Sequence, residues 1–203
     1  MHQQIRLSIK NFGPIKEGNF FIGKYTIFIG NQGTGKSTIA KLFSLFTWLE
    51  KALIRNIVTP KQLLQGNFNN KSYNEYYQIN DYYKDDTFLE YEGLRYDFKY
   101  SNKKLSITVK VGETENIYKV MYGPAGRNIL SVLNKPTNIK EWPKTLASFL
   151  EAFEESKQHN KAYTLPMHDA PNFEYDKLNN ISWIKGTNYR IRLTDASSGY
   201  QSL

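Results

Sequence analysis

Residues 25–38 read Tyr25-Thr26-Ile27-Phe28-Ile29-Gly30-Asn31-Gln32-Gly33-Thr34-Gly35-Lys36-Ser37-Thr38. The first five are apolar, β-branched or aromatic, the composition of a central strand buried on both faces. From Gly30 the pattern is Gly-x4-Gly-Lys-Ser, that of a phosphate-binding loop. The spacing has a chemical reason. Glycines let backbone N–H groups face phosphate oxygens with no Cβ in the way. The helix that follows adds the partial positive charge of its N-terminus. Lys36 can reach the β- and γ-phosphates, and the Ser37 hydroxyl can ligate Mg²⁺. A random chain of this length matches the pattern roughly once in a hundred. The surroundings fit as well: an apolar strand enters, and an amphipathic helix over 37–57 leaves, with Leu42, Phe43, Leu45, Phe46, Leu49, Leu53 and Ile54 at helical spacing. The loop is read as a nucleotide site.

Upstream, Ile5, Leu7 and Ile9 alternate with Arg6, Ser8 and Lys10, which predicts a strand to Phe12. Gly13-Pro14 makes a turn, and residues 19–22 form a second short strand. Downstream, residues 66–86 are rich in Asn and Tyr and read as an insertion, with a short helix near 73–79. Strand-like runs at 88–91, 94–100, 105–111 and 117–122 are broken by Glu92-Gly93, Ser101-Asn102 and Gly112-Glu113, the pattern of an antiparallel meander. Trp142-Pro143 opens a helix to about residue 157, with Leu146, Phe149, Leu150 and Phe153 on one face. Residues 158–172 are polar and read as a loop, 173–184 are mixed, and 189–193 alternate like a strand.

The chain has 203 residues, 27 Lys and Arg against 19 Asp and Glu, and no cysteine. At roughly 150 residues per domain this is one domain, or one with a large insertion. The lack of cysteine excludes a disulfide scaffold, a thiolate zinc site and a cysteine nucleophile. No apolar run approaches the roughly 20 residues of a membrane helix, and no apolar leader opens the chain. A cytoplasmic protein without membrane contact is expected. The net charge of +8 is spread evenly along the chain, which permits nucleic-acid binding without requiring it.

The opening, residues 5–42, resembles the start of ABC-type ATPase heads of the RecF, SMC and overcoming-lysogenization-defect kind. The shared pattern is a strand, an Asn-Phe-Gly-Pro-Ile turn, a second strand and a Gly-x-Asn/Gln-Gly-x-Gly-Lys-Ser-Thr loop. The end, Ser197-Ser198-Gly199-Tyr200-Gln201, resembles the ABC signature motif in its Ser-Ser-Gly-x-Gln form. Between them, residues 122–131 resemble a Tyr-x-Pro-Ala-Glu-Arg stretch of bacterial AAA-type ATPases, with Gly126 in place of Glu.

The resemblance implies an α/β P-loop fold of the ABC-head type, with an antiparallel β-subdomain and a helical insertion. Its segments would be 1–57 (strands, loop and first helix), 58–86 (insertion), 87–127 (β-rich), 128–188 (helical) and 189–203 (strand and signature). It implies ATP and Mg²⁺ as cofactors. Gly30, Asn31, Gln32, Gly33, Thr34, Gly35, Lys36, Ser37 and Thr38 would hold the nucleotide, with Lys36 as catalytic group, Ser37 as metal ligand and Thr38 at the α-phosphate. Ser198, Gly199 and Gln201 would bind the γ-phosphate held by a second copy, so ATP would join two heads in a homodimer. The implied activity is ATP hydrolysis coupled to that pairing, in DNA transactions or phage defence, with DNA or RNA and an effector protein as partners. The Walker B strand and its Asp-Glu pair are not found by residue 203, so the chain reads as the N-terminal part of a larger head, a truncated product or one piece of a split protein. A non-hydrolysing nucleotide-binding module and a small-molecule kinase remain the alternatives. A GTPase is disfavoured, because Asn134-Lys135-Pro136-Thr137 lacks the Asp that reads guanine.

Other residues are weaker candidates. His159, His168 and Asp169 could form a metal site but read as loop residues. Arg127 could meet phosphate. Arg190 and Arg192 share a strand face and could meet nucleic acid. Tyr73, Tyr76, Tyr77, Tyr82 and Tyr83 could stack on bases, but more often such residues pack an insertion against its domain. Glu151, Glu154 and Glu155 read as a solvated helix face.

Overall fold

The first strand, β1 (Ile5–Phe12), buries Leu7, Ser8, Ile9 and Phe12, the three apolar ones being 0–1 % exposed. The chain then reverses through Asn11 and Gly13, both at φ 50°. At Gly13 a Cβ would lie 2.5 Å from the Tyr82 ring, so only glycine fits. Strand β2 (Ile15–Ile22) returns along β1 from Phe12↔Ile15 to Ile5↔Ile22. These observations come from a computed structural model, which describes residues 5–111, 120–133, 138–158, 163–164, 171–197 and 201.

Three further strands, β3 (Tyr83–Glu92), β4 (Tyr96–Ser101) and β5 (Lys104–Val109), complete a sheet in the order β2-β1-β3-β4-β5. All its pairings are antiparallel. One face is polar and laced by ion pairs: Arg6 with Glu90 and Glu92, Lys99 with Glu90, and Lys110 with Asp97. The other face carries the core. Helix α1 (Lys36–Ile54) buries Leu42, Leu45, Phe46, Leu49 and Leu53. Phe46 stacks on Tyr91 at 5.5 Å and lies 5.6 Å from Phe98. Each such side chain contributes about 1.5–3 kcal/mol by leaving water.

The same helix buries a charge. Glu50 is 4 % exposed, and its carboxylate accepts the backbone N–H groups of Arg95 and Tyr96 and the Tyr91 hydroxyl. The β3–β4 turn is thereby tied to α1, and the buried anion is satisfied. Between α1 and β3 run α2 (Pro60–Leu64), with a Thr59–Gln62 capping box, and α3 (Ser72–Tyr76). The Asn- and Tyr-rich stretch packs inward. Tyr77 and Ile79 are buried, and Tyr73, Tyr76, Tyr82 and Tyr83 lie against the core.

The chain divides into two compact units, Met1–Tyr122 and Gly123–Leu203. The second holds α4 (Ile129–Val132), α5 (Lys144–Gln158) and the strands β6 (Tyr163–Thr164), β7 (Asn172–Asp176), β8 (Ile181–Lys185) and β9 (Arg190–Arg192). These strands form a four-stranded antiparallel sheet in sequence order. Its small core joins Ile184, Leu193 and Ala196 to Phe153, Phe173 and Ile191.

The expected α/β P-loop fold with a parallel sheet is not what the chain adopts. Among the described residues every strand pairing is antiparallel, in two sheets with few helices. The physical reason lies in the strand patterns. β1 and β3–β5 alternate apolar and polar residues, which suits antiparallel strands with one solvated face. The one run with the uniform apolar character of a parallel central strand, residues 25–29, forms no strand at all. The strand expected over 117–122 is also corrected where it is described: residues 120–122 are irregular, and 117–119 lie outside the described residues.

Candidate functional site

The loop 30–38 is built on the start of β2 and capped by α1. Gly35 is the N-cap of α1 at φ 96°, with no side-chain cap. A Cβ there would sit 2.6 Å from Ile15 Cγ1 and 3.5 Å from Pro14 Cγ. Glycine is thus required twice, by the left-handed backbone and by close packing on the hairpin turn. Gly33 is at φ 80° with open space around it. Gly30 approaches the Thr34 hydroxyl, where a Cβ would lie 3.2 Å from Oγ1. Asn31, Gln32, Gly33 and Thr34 are exposed.

Polar contacts close the loop on itself. The Thr34 hydroxyl donates to the Asn31 carbonyl at 2.8 Å. The Lys36 ammonium donates to the carbonyls of Gly30 and Asn31, at 2.6 Å each. A positive charge is therefore held across the loop by carbonyl oxygens that a phosphate oxygen can replace. No acidic residue lies in the first turn of α1, so the N-terminal end of the 19-residue helix keeps its positive potential. Ser37 is exposed, and its hydroxyl makes no hydrogen bond among the described residues. Thr38 is buried, 5 % exposed, one residue inside the helix.

Mg²⁺ in such a site takes a hydroxyl, phosphate oxygens and water rather than a cage of carboxylates. The free Ser37 hydroxyl at the mouth of the helix is a donor of that kind. Among the described residues no group of three His, Asp or Glu side chains could hold a metal. His159, His168 and Asp169 lie outside the described residues, as do Asn134–Thr137 by number.

Of the signature residues, Ser198 and Gly199 lie outside the described residues. Gln201 is described: its amide donates to the carbonyls of Leu193 (3.3 Å) and Thr194 (3.1 Å). It is thus committed to the chain's own short 3-10 turn, Leu193–Asp195. Arg127 is partly buried and donates to the Pro124 carbonyl. Arg190 and Arg192 share one face of β9, with guanidinium carbons 4.3 and 5.9 Å from the centre of the Trp183 ring. Glu174 neutralises that face in part, pairing with Lys185 and Arg190. Glu151 and Glu155 are exposed, and Glu154 pairs with Lys157 at 2.7 Å.

Two supporting features were not singled out from the sequence. Pro14 and Ile15 form the floor beneath Gly35; the sequence marks them only as part of the Asn-Phe-Gly-Pro-Ile turn, with no tie to the loop. Glu50 anchors the far end of α1, and its only sequence signal is a carboxylate on an otherwise apolar helix face.

No protein family, curated protein or solved structure matches the chain in comparisons with known proteins. No helix among the described residues is long and apolar enough to cross a membrane.

Proposed function

We propose that residues 30–38 bind the phosphates of ATP with Mg²⁺. The observation that carries the reading is the Lys36 ammonium poised over the exposed Gly-rich turn at the uncapped start of α1. On binding, Lys36 exchanges the Gly30 and Asn31 carbonyls for phosphate oxygens. The loop amides and the first turn of α1 then meet the anion. Ser37 is the side chain that would hold Mg²⁺, which when bound draws phosphate oxygens together and offsets their charge. The family resemblance extends this reading to ATP hydrolysis coupled to association of two copies, with Ser198, Gly199 and Gln201 facing the partner's nucleotide, and to nucleic-acid or effector partners. For Gln201 this requires release of its two bonds to the 193–195 turn.

Calorimetric titration of the full chain with Mg-ATP tests the binding step, beside Lys36→Ala and Ser37→Ala. Loss of a charge-assisted contact worth roughly 1.5–3 kcal/mol predicts a roughly 10- to 100-fold weaker affinity for Lys36→Ala. Ser37→Ala is expected to abolish the Mg²⁺ dependence while sparing metal-free binding. Equal affinity of wild type and Lys36→Ala overturns the site. Phosphate release and sizing in the same samples separate hydrolysis with pairing from binding alone.

A further inference from the structure

Among the described residues of the first unit, 25–29 carry a cluster of highly exposed large apolar side chains. Tyr25, Ile27 and Ile29 are 85, 84 and 94 % exposed. Between them Phe28 turns inward and meets Phe20 edge-on at 5.9 Å. Phe28 alone is seated, between Ile27 and Ile29, while Tyr25 and Thr26 are both exposed. No backbone hydrogen bond joins these residues to another segment among the described residues. The segment has the β-branched and aromatic side chains of a strand but, among the described residues, no strand beside it.

We propose that residues 25–29 accept an extended apolar strand, flanked by acidic residues, from a partner polypeptide. Three observations choose that occupant. Unpaired N–H and C=O groups are satisfied by another strand, not by a lipid surface or a helix face. Three exposed side chains of order 150 Å² each give about 450 Å², short of the roughly 800 Å² per partner of a stable face-to-face dimer. A strand that also forms main-chain bonds does not need that area. The rim carries positive charge: the Lys24 ammonium lies 5.5 Å from the centre of the Tyr25 ring, and residues 18–49 contain no Asp or Glu. Steering and register thus favour acidic flanks.

The test uses the full chain and a fluorescein-labelled peptide, Glu-Glu-Val-Thr-Ile-Thr-Val-Glu-Glu, followed by anisotropy. Saturable binding is expected, weakened at least tenfold by Ile27→Asp and by placing proline at the two Thr positions of the peptide. Ile27 is exposed, so Ile27→Asp should keep the wild-type circular dichroism, and Phe21→Ser, at another exposed site outside the segment, should bind as wild type. Absence of binding, equal binding of the proline peptide, or equal binding by Ile27→Asp overturns the proposal. So does a wild-type dimer that Ile27→Asp converts to monomer, which would make a second copy the occupant, or Ile27-dependent binding to neutral phosphatidylcholine vesicles. The nucleotide titration above is independent of each of these outcomes.

Discussion

β1 and residues 25–29 both carry branched aliphatic residues at every second position, yet those side chains end in opposite environments. In β1, Leu7 and Ile9 are 0 and 1 % exposed; in the second run, Ile27 and Ile29 are 84 and 94 % exposed. β1 lies between β2 and β3, with both edges paired. Among the described residues, 25–29 have no strand on either edge and only Phe28 seated. The difference shows that an apolar, β-branched run specifies a demand for burial, while the chain's other elements decide whether the demand is met.

The contrast can be broken most forcefully with alkali. Burial pushes the Tyr77 phenol up to about 12, and burial also raises Tyr73, Tyr83 and Tyr91. A phenol whose folded pKa is raised releases its proton less readily than in the unfolded chain, where it ionises near 10. Its contribution is whole below about pH 10 and falls as pH rises from there to the folded value. For Tyr77 alone that is roughly 2–3 kcal/mol between about pH 10 and 12. Cooperative unfolding of the first unit is therefore expected in this window, followed by tyrosinate absorbance and circular dichroism together. Titration of all the phenols near pH 10, before the ellipticity changes, would show that these four are not buried.

Within the comparison itself, Ile9→Ala should cost about 2–5 kcal/mol in urea denaturation, because it opens a cavity in a closed core. Gly35→Ala comes next, at about 1–3 kcal/mol, since φ 96° and the 2.6 Å approach to Ile15 both oppose a Cβ. Ile27→Ala is the smallest, within about 0.5 kcal/mol for the chain by itself. A large cost at Ile27 would mean that the run is buried after all. A small cost at Ile9 would remove the basis for calling the two runs different.

Legibility in the sequence followed how local the determining forces were. β1 was readable because alternation and the Gly13-Pro14 turn are encoded within a dozen residues. The start of α1 was readable because Gly35, at φ 96°, and the Lys36-Ser37 pair mark it directly. β2 was longer than its apolar content suggests, beginning at Ile15, because hairpin pairing with β1 recruits Lys16, Glu17 and Gly18. Phe173 to Ile184 had no clear period, and pairing of β7 with β8 across a turn at Asp176–Asn180 by number resolves it. For the loop, residue identities and spacing were legible; the Lys36 bonds to Gly30 and Asn31 were not, since they depend on how the turn closes.

From the sequence by itself came the chemistry on offer: a Gly-rich turn with Lys36 and Ser37 at a helix start, an even basic charge, and two strand-like stretches, one alternating and one apolar, that each call for partners. Those properties are local, set by side-chain type and spacing along a few residues. Tertiary structure decided which run obtained its partners, that the strands pair antiparallel, that Glu50 is buried against the 95–96 amides, and that Gln201 turns back on its own chain. Each depends on groups tens of residues apart being brought within hydrogen-bonding or van der Waals reach, a relation that no single stretch of sequence carries.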